Sequence, residues 1–461
     1  MNLIITFSII AIGFFLHLKK PKWVILFWLS LEPIILPIVA LGTMTIQRPE
    51  FRELTNVVTH NGGRNLFLFL LFYEFLKKGS IPKMGRIFPV FFALVLFLAV
   101  HNILTHFNVS SLWSGISESL SLLLPLIYLA WVPQARTEPR TLFKYICFIL
   151  VIQVIGVIMN MSENYVYLTY YIPYEYELGT GEFFVREENL VMGSFTSFNK
   201  LGNFLTTIYL FVALEYFSKD RMPTFLFYSF SLVVFIIIIL TGARMSLVLF
   251  GLSFIISNVL YWKRHKLMLV STLGLIIVSY TFLLAFDIQY ANTFTDNDGI
   301  NRQLGGLAKF VQGMEEDEED TSTLSLSTYL IDNFFLNAPL MGNGLSYRGE
   351  FAYGNHGTVT LTNFINDSRL AYVLVEFGLI GFMVYAFYFG SIASFLTHRV
   401  ERKERVKIKV AFLYFILLTI MEPGFFDRSN FPLVYVYALC VLSATANVGR
   451  FQESNVISNH G

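Results

Sequence analysis

Long apolar runs, separated by short polar breaks, recur along almost the whole chain. Most of them approach the roughly 20 residues that a helix needs to cross the hydrocarbon core of a bilayer. They lack the alternation of apolar and polar residues that marks a membrane β-barrel, so we expect helices across the membrane. The pattern predicts about 13 spans, within a range of about 12 to 14. Their bounds are Asn2–Leu18, Trp23–Leu41, Asn65–Phe75, Ile87–Leu104, Trp113–Val132, Phe143–Met159, Val191–Phe217, Thr224–Leu240, Met245–Trp262, Leu267–Phe286, Leu370–Phe395, Val410–Phe426 and Phe431–Ala446.

The composition agrees with an all-α polytopic membrane protein. Of the 461 residues, 55% are hydrophobic and 14% are charged, which excludes an ordinary soluble domain. Cys147 and Cys440 both fall inside apolar runs, so a disulfide framework or a thiolate metal site is not expected. The first run lacks a basic n-region and a cleavage site, and we interpret it as a retained span.

The basic residues predict the orientation. About two thirds of the 33 basic residues fall in one alternating set of loops, as the positive-inside rule requires of the cytoplasmic side. The N-terminus then starts outside, although one miscounted span near it would move Met1 to the other side. Residues 1–286 hold helices 1–10, residues 369–448 hold helices 11–13, and residues 449–461 form a cytoplasmic tail. Between them, residues 287–368 form one large periplasmic loop that is partly helical at Ser325–Phe335.

Two further outer segments follow from this topology. The polar break Thr241–Ser246 separates two apolar runs and carries Arg244 at its turn. The loop from Ser162 to Asn189 is rich in tyrosine, which is typical of an aromatic anchor in the headgroup layer. Stacking of these rings on sugars is the functional alternative.

Some basic residues lie outside, against the charge bias. An arginine or lysine at the end of a span commonly snorkels to the headgroups. A cluster of arginines would instead form a cationic pocket for phosphate, because guanidinium groups bind phosphate in a bidentate way. Arg244 is the strongest candidate, since the paired spans leave little chain to spare. The basic residues predicted to lie outside are Arg48, Arg52, Arg64, Arg186, Lys200, Arg244, Arg302, Lys309, Arg348, Arg369 and Arg428.

Two residues are candidate bases. Asp367 lies just before a predicted span and beside Arg369, where its carboxylate could accept a proton from a hydroxyl or pair with the arginine. His356 is the reserve candidate, although a lone loop histidine is more often structural. The sequence shows no metal-ligand spacing, nucleophile elbow or Walker loop, so we expect no metal, no ATP and no other cofactor. Nothing in it points to a nucleic-acid partner.

Three motifs, in this order along the chain, resemble the O-antigen polymerase and ligase superfamily of bacterial envelope glycosyltransferases. The family's G-x-F-x-x-x-N-x-x-G opening of a span is similar to Gly193-Ser-Phe-Thr-Ser-Phe-Asn-Lys-Leu-Gly202. Its T-G-S-R-G turn resembles Thr241-Gly-Ala-Arg-Met-Ser246. The end of its large outer loop resembles Pro339-Leu-Met-Gly-Asn-Gly344 followed by Asp367-Ser-Arg369 and Glu376-Phe-Gly-Leu-Ile-Gly381. The resemblance covers roughly Val191 to Phe395.

The resemblance implies a C-type glycosyltransferase-like fold and a set of site residues. Asp367 would be the catalytic base, with Arg244 stabilising the diphosphate leaving group. In ligases of the family a histidine stands where Asp367 falls, so the aspartate favours the polymerase branch. The region near Ser325 lacks the family's second loop arginine, and Arg302 is our substitute for it. The substrate-binding set is Arg244, Arg302, Arg369, Asn199, Lys200 and Arg348.

We therefore expect a polysaccharide polymerase of the bacterial inner membrane, with its active site facing the periplasm. It would transfer glycan from an undecaprenyl-diphosphate-linked donor to a sugar hydroxyl of a second lipid-linked repeat unit. Expected partners are that donor, membrane lipid and, from the same pathway, a chain-length regulator and a flippase. A ligase acting on lipid A core or another acceptor is the first alternative. A secondary transporter or lipid-linked sugar flippase is the second, although the inverted repeats of such proteins are not evident.

Overall fold

The structure is a computed structural model, and most of the residues that it describes are helical. The chain divides into two compact units. The first unit comprises Met1–Cys147, Glu177–Phe183 and Thr323–Gly461, and the second comprises Phe148–Tyr176 and Phe184–Ser322. The described residues are 2–43, 54, 56–80, 86–105, 109–137, 139–161, 175–177, 183–185, 191–195, 198–214, 223–260, 335–336, 338–343, 369–398 and 402–421.

The described helices agree with the all-α prediction. They are α1 (Asn2–Lys19), α2 (Lys22–Leu29), α3 (Leu36–Thr43), α4 (Gly63–Lys78), α5 (Ile87–Leu104), α6 (Val109–Trp131), α7 (Pro139–Met161), α8 (Phe198–Val212), α9 (Thr224–Thr241), α10 (Arg244–Leu260), α11 (Arg369–His398) and α12 (Arg402–Met421). Shorter turns are a π-helix at Leu31–Ile35, a π-helix at Asn56–Gly62 and a 3₁₀ turn at Pro133–Ala135.

The number of membrane spans is only partly supported. Within the described residues, Asn2–Lys19, Ile87–Leu104, Lys144–Met161 and Val373–Thr397 are long and apolar enough to cross a bilayer. Lys22–Leu29 and Leu31–Val39 form a fifth candidate as a bent pair, and two shorter apolar helices are Phe225–Thr241 and Ser246–Ile255. The predicted spans Leu267–Phe286 and Phe431–Ala446, the tail, and the predicted helix Ser325–Phe335 except for its last residue lie outside the described residues. The count of 13 therefore stays a prediction.

In the first unit, helices α1, α4 and α6 run parallel. Gly13 of α1 meets Leu66 of α4 so closely that a Cβ on the glycine would lie 3.0 Å from Leu66 Cδ2. One turn further along α1, His17 makes two hydrogen bonds. Its Nε2 lies 3.1 Å from Glu74 Oε1 of α4, and its Nδ1 lies 2.9 Å from the hydroxyl of Tyr128 in α6. Along α6, Ser117 contacts Arg64 and Trp131 contacts Lys78, so the contacts advance together and the three helices point in the same direction.

This arrangement collects basic residues at one end of the bundle. Lys19, Lys77 and Lys78 all lie at the C-terminal ends of α1 and α4. Lys78 binds Glu74 Oε2 at 2.7 Å and the carbonyl oxygen of Trp131 at 2.8 Å. The structure thus groups the lysines on the side that the charge rule assigns to the cytoplasm.

Several helix bounds differ from the predictions. The predicted span Trp23–Leu41 is bent by 55° at Ser30, where the π-helical turn that contains Pro33 begins. A proline has no N–H to continue the ladder, and the amide of Ile35 instead bonds Ser30 O at 2.9 Å. The short predicted span Asn65–Phe75 is part of a longer helical stretch from Asn56 to Lys78.

Two further bounds are corrected. The predicted span Val191–Phe217 does not start at Val191, because residues 191–195 form a turn and α8 begins at Phe198. Helix α12 begins at Arg402, eight residues before the predicted Val410, since the arginines and lysines of that stretch are good helix formers. In the tyrosine-rich loop, strands β1 (Glu175–Glu177) and β2 (Phe183–Val185) pair as a two-stranded sheet that the sequence did not predict.

Candidate functional site

The turn around Arg244 is fixed by its own backbone and by one threonine. Gly242 ends α9 in the left-handed conformation, with φ of +67°, and its amide bonds Ile239 O at 3.0 Å. The hydroxyl of Thr241 accepts a hydrogen bond from the amide of Ala243 at 3.2 Å. Arg244 is then the first residue of α10. The predicted pair of helices with Arg244 at the turn is confirmed at the level of the backbone.

This turn packs directly on the other motif of the second unit. A Cβ on Gly202 of α8 would lie 2.5 Å from Ser246 Oγ and 3.0 Å from Ala243 Cβ. Ser246 Oγ donates to Asn203 Oδ1 at 2.8 Å. Only glycine at position 202 lets the two helices approach this closely. Gly202, the last residue of the Gly193–Gly202 motif, therefore packs directly against Ala243 and Ser246 of the Thr241–Ser246 turn.

Helices α8 and α10 run parallel from this joint. Thr206, one turn beyond Gly202, donates to Ser246 O at 3.3 Å. Further along, the ring of Tyr209 lies 4.7 Å from Phe250 and 6.2 Å from Phe254, between ring centroids. Because the contacts advance in the same direction along both helices, their N-termini lie at the same end. Helix α8 begins four residues before Gly202, about 6 Å further along the axis.

Two helix N-termini at one end create a region of positive potential. Each N-terminus presents amides without intrahelical partners and the positive end of the helix dipole. Arg244 opens α10, and Asn199 and Lys200 lie in the first turn of α8, both half-buried. This arrangement suits a phosphate group, which helix N-termini and basic side chains bind through the same oxygens.

Two side chains of α7 hold the chain just before α8. Asn160 Oδ1 accepts hydrogen bonds from the amides of Met192 at 3.2 Å and Gly193 at 3.0 Å. Gln153 bonds Ser194 twice, accepting from its amide at 2.9 Å and donating to its hydroxyl at 2.6 Å. Gly193 has φ of +61°, which favours glycine. These buried amides replace the helical hydrogen bonds that residues 191–195 do not make.

The third motif forms a second joint, within the first unit. Helix α11 is interrupted at Gly378, where φ is +63° and ψ is −166°. The freed amides of Leu379 and Ile380 bond the carbonyl oxygens of Pro339 and Leu340 at 2.9 and 3.1 Å. The other side of the break is satisfied by Asn343, whose amide bonds Val375 O at 2.8 Å. The loop segment 338–343 therefore replaces the helical ladder across the break.

Glycines make this joint possible. A Cβ on Gly342, which has φ of +71°, would lie 2.5 Å from the amide nitrogen of Gly378. A Cβ on Gly378 would lie 2.6 Å from the amide nitrogen of Gly342. The two backbones touch at these positions, so each glycine leaves the space that the other backbone occupies.

His101 of α5 supports the same joint. Its Nε2 lies 2.5 Å from the carbonyl oxygen of Met341, and its ring packs 5.3 Å from Phe377 and 5.4 Å from Phe97. The residue is fully buried, and its Nδ1 has no hydrogen-bond partner among the described residues. Since a carbonyl accepts only, Nε2 carries the proton.

Residues 229–386 match the family model described as O-antigen ligase. Over this segment, about a third of its length, the chain is similar to the O-antigen polymerase and ligase superfamily. The predicted resemblance is thereby confirmed over this segment, and the match supports an O-antigen polymerase or ligase type of function in general. The matched segment contains the Arg244 turn and the joint at Gly378, whereas the Gly193–Gly202 motif precedes it. No curated protein matches the chain.

Not every predicted site residue falls within the described residues. Arg244 and Arg369 are the first residues of α10 and α11. The remaining predicted residues, Asp367, His356, Arg302 and Arg348, lie outside the described residues, so their roles stay predictions. In the described part of the chain, no group of three or more His, Cys, Asp or Glu is placed to hold a metal ion.

The side chains that support the motifs were not predicted from the sequence. Gln153, Asn160 and His101 were not singled out, although each is a fully or almost fully buried polar residue inside an apolar helix. That position is itself a signal, because a polar side chain in a span needs a partner and commonly binds irregular backbone. The identity of the partner could not be read from the sequence.

Proposed function

We propose that this protein is a polysaccharide polymerase that transfers glycan from an undecaprenyl-diphosphate-linked donor to a second lipid-linked repeat unit. The reaction would take place at the periplasmic face of the bacterial inner membrane. The match of residues 229–386 to the O-antigen ligase family model supports transfer of this general kind. The polymerase branch rests on Asp367, which stands where ligases of the family carry a histidine.

The observation that carries the proposal is the end shared by α8 and α10. There, Arg244 opens one helix and Lys200 lies in the first turn of its parallel neighbour. The leaving group of the proposed reaction is a diphosphate on a lipid chain, so it must be held by fixed positive charge at the membrane surface. Two helix N-termini and two cations supply that charge without a metal ion.

The chemistry is a displacement at the anomeric carbon of the donor sugar. The acceptor hydroxyl oxygen forms the new bond to this carbon while the bond to the diphosphate oxygen breaks. The electron pair of the broken bond leaves with the diphosphate, where Arg244 stabilises the developing charge. The proton of the acceptor hydroxyl passes to the carboxylate of Asp367. Because the donor is already activated, nucleotide hydrolysis is not needed.

The proposal is tested in cells that depend on this gene for their surface polysaccharide. Arg244→Ala should reduce polymer formation by about 100-fold or more, because a fixed charge on the leaving group is lost. Arg244→Lys should retain part of the activity, since lysine keeps the charge without the bidentate geometry. Asp367→Asn should also abolish polymer. Polymer length and amount are read from gels of extracted polysaccharide.

Arg86 provides a matched control. It is an exposed arginine beside the first residue of α5, at the end that the charge rule assigns to the cytoplasm. Arg86→Ala should leave polymer unchanged.

Single lipid-linked repeat units accumulating in the Arg244 variant would support a polymerase, whereas long lipid-linked polymer would indicate a ligase. Unchanged polymer in both Arg244→Ala and Asp367→Asn would refute the mechanism.

A further inference from the structure

One guanidinium lies at the end of the first unit that is opposite to its basic loops. Arg64 is the second residue of α4, whereas Lys77 and Lys78 close the same helix. Since α1, α4 and α6 point in the same direction, Arg64 lies towards the end where α4 and α6 begin, opposite to Lys77 and Lys78. Most other described lysines and arginines of this unit lie near the opposite end or in the first half of α12, and Arg369 opens α11. A cation whose side chain is fixed in place on the side that the charge rule leaves poor in lysine and arginine calls for a physical explanation.

Neutral groups fix the side chain of Arg64. Its Nη1 donates to the hydroxyl of Ser117 in α6, and its Nη2 donates to Asn61 Oδ1 at 3.2 Å. The guanidinium carbon lies 5.6 Å from the ring centroid of Trp113. Its Nε is buried without a hydrogen-bond partner among the described residues. The planar group is thus held in place on three sides.

No described carboxylate balances this charge. The ion pairs of His17 with Glu74 and of Lys78 with Glu74 both lie at the far end of the helices. The hydroxyl and amide oxygens that contact Arg64 carry no net charge. A half-buried guanidinium in this environment attracts an anion more strongly than an exposed one, because solvent screens it less.

Snorkelling alone does not account for the arrangement. A snorkelling arginine extends a flexible chain towards the headgroups and keeps its charged group in water. Arg64 is instead tied to two helices and to a ring, and its Nε is taken out of water. Fixing a long side chain costs conformational entropy, and the free energy of binding an anion at this site would offset that cost.

The surroundings indicate what carries the anion. Trp113 is 56% exposed and Val109, at the start of α6, is 64% exposed. A large apolar surface next to a fixed cation suits a ligand that has an acyl or polyprenyl chain attached to a phosphate.

We propose that Arg64, with Asn61 and Trp113, forms a binding site for a phosphate or diphosphate group carried by a membrane lipid. The guanidinium binds the phosphate oxygens and the ring of Trp113 contacts the first carbons of the lipid chain. The source is either a phospholipid headgroup or a lipid-linked glycan. The second source rests on the proposed function, since a polymerase binds two lipid-linked diphosphates in each turnover and Arg244 with Lys200 serves only one.

The test uses the purified full-length chain in detergent and native mass spectrometry. The probes are geranylgeranyl diphosphate, for a polyprenyl-linked diphosphate, and phosphatidylglycerol, for an anionic headgroup. Arg64→Gln should lower the affinity for at least one probe by about tenfold, since hydrogen bonds to a charged group are lost. Arg64→Lys should give a smaller loss because it keeps the charge. Arg86→Gln is the matched control and should bind both probes as the wild type does.

Each outcome decides the matter. A loss confined to the diphosphate supports a lipid-linked ligand, and a loss confined to phosphatidylglycerol supports a headgroup. Unchanged affinity for both probes in Arg64→Gln overturns the proposal. If that variant is not monodisperse on size exclusion, Arg64→Lys replaces it, and unchanged affinity there has the same meaning.

The same measurement on Arg244→Ala separates this inference from the proposed function. If Arg244→Ala loses diphosphate affinity and Arg64→Gln does not, the proposed function stands and the Arg64 site falls. If Arg64→Gln loses affinity for either probe while Arg244→Ala keeps both affinity and polymer, the Arg64 site stands and the proposed function falls.

Discussion

Replacing Gly378 by alanine tests the joint between α11 and the loop segment 338–343. A Cβ at this position would contact the carbonyl oxygen of Leu340 and lie 2.5 Å from the carbonyl carbon and 2.6 Å from the amide nitrogen of Gly342. All three are backbone atoms, so no side-chain rotation relieves the overlap. The loop must move away from the break in the helix.

Two costs determine the magnitude. The backbone of Gly378 has φ of +63° and ψ of −166°, a region that is essentially restricted to glycine and costs other residues about 1–3 kcal/mol. Moving the loop also breaks the bonds from Leu379, Ile380 and Asn343 across the joint, at about 1 kcal/mol each. Together these effects predict a destabilisation of about 4–6 kcal/mol.

The assay compares Gly378→Ala with Gly390→Ala. Gly390 lies in the same helix, and a Cβ on it would meet nothing within 4 Å, so alanine there should be neutral or stabilise by up to about 1 kcal/mol. Thermal inactivation half-lives of the purified variants in detergent are the measure, because large membrane proteins rarely unfold reversibly. Equal half-lives for the two variants would refute the close approach of the two backbones.

Three further substitutions probe other contacts. Gly202→Ala should force α8 and α10 apart and cost about 1–3 kcal/mol, because the new Cβ overlaps backbone-attached carbons. His101→Leu should cost about 1–3 kcal/mol, since a buried carbonyl loses its donor. Glu74→Ala should cost about 3 kcal/mol, because it leaves buried His17 and its neighbouring lysine without their carboxylate. All three are measured as half-lives of thermal inactivation.

Each of these three substitutions has a control variant or an outcome that would contradict the prediction. Gly251→Ala is the control for position 202, because a Cβ on Gly251 meets nothing within 4 Å. Lys78→Ala should cost only about 1 kcal/mol, since the lysine is partly exposed. A half-life of Glu74→Ala no shorter than that of Lys78→Ala would show that the buried pair contributes little. For His101, wild-type behaviour of the leucine variant would show that Met341 O finds another donor.

Helix positions followed from local properties of the chain. The runs around α1, α5, α6 and α9 were predicted to within a few residues because mean hydropathy is a property of each segment alone. The turn at Thr241–Ser246 was predicted for the same reason, since a polar break with a glycine ends a helix wherever it occurs. The bend near Pro33 and the turn at 191–195 were missed, because apolar residues continue through both.

The candidate site was predicted in part. Arg244 and Lys200 were chosen from charge and from the resemblance, and the structure adds that their helices begin at the same end. The expectation that Arg244 and Asp367 act on one substrate stays a prediction. Gln153, Asn160 and His101 were missed because their importance lies in the backbone that each one binds, and that backbone is distant in sequence.

The sequence by itself determined the class of the protein, the sites of its apolar helices and the family motifs, since hydropathy, charge and motif spacing are all counted along the chain. Only the tertiary structure decided which parts of these motifs pack against one another. Gly342 fits against Gly378 and Gly202 against Ser246 because the helices and the loop approach until their backbones touch. Such contacts depend on packing in three dimensions, and a sequence records the small residue without recording the surface that requires it.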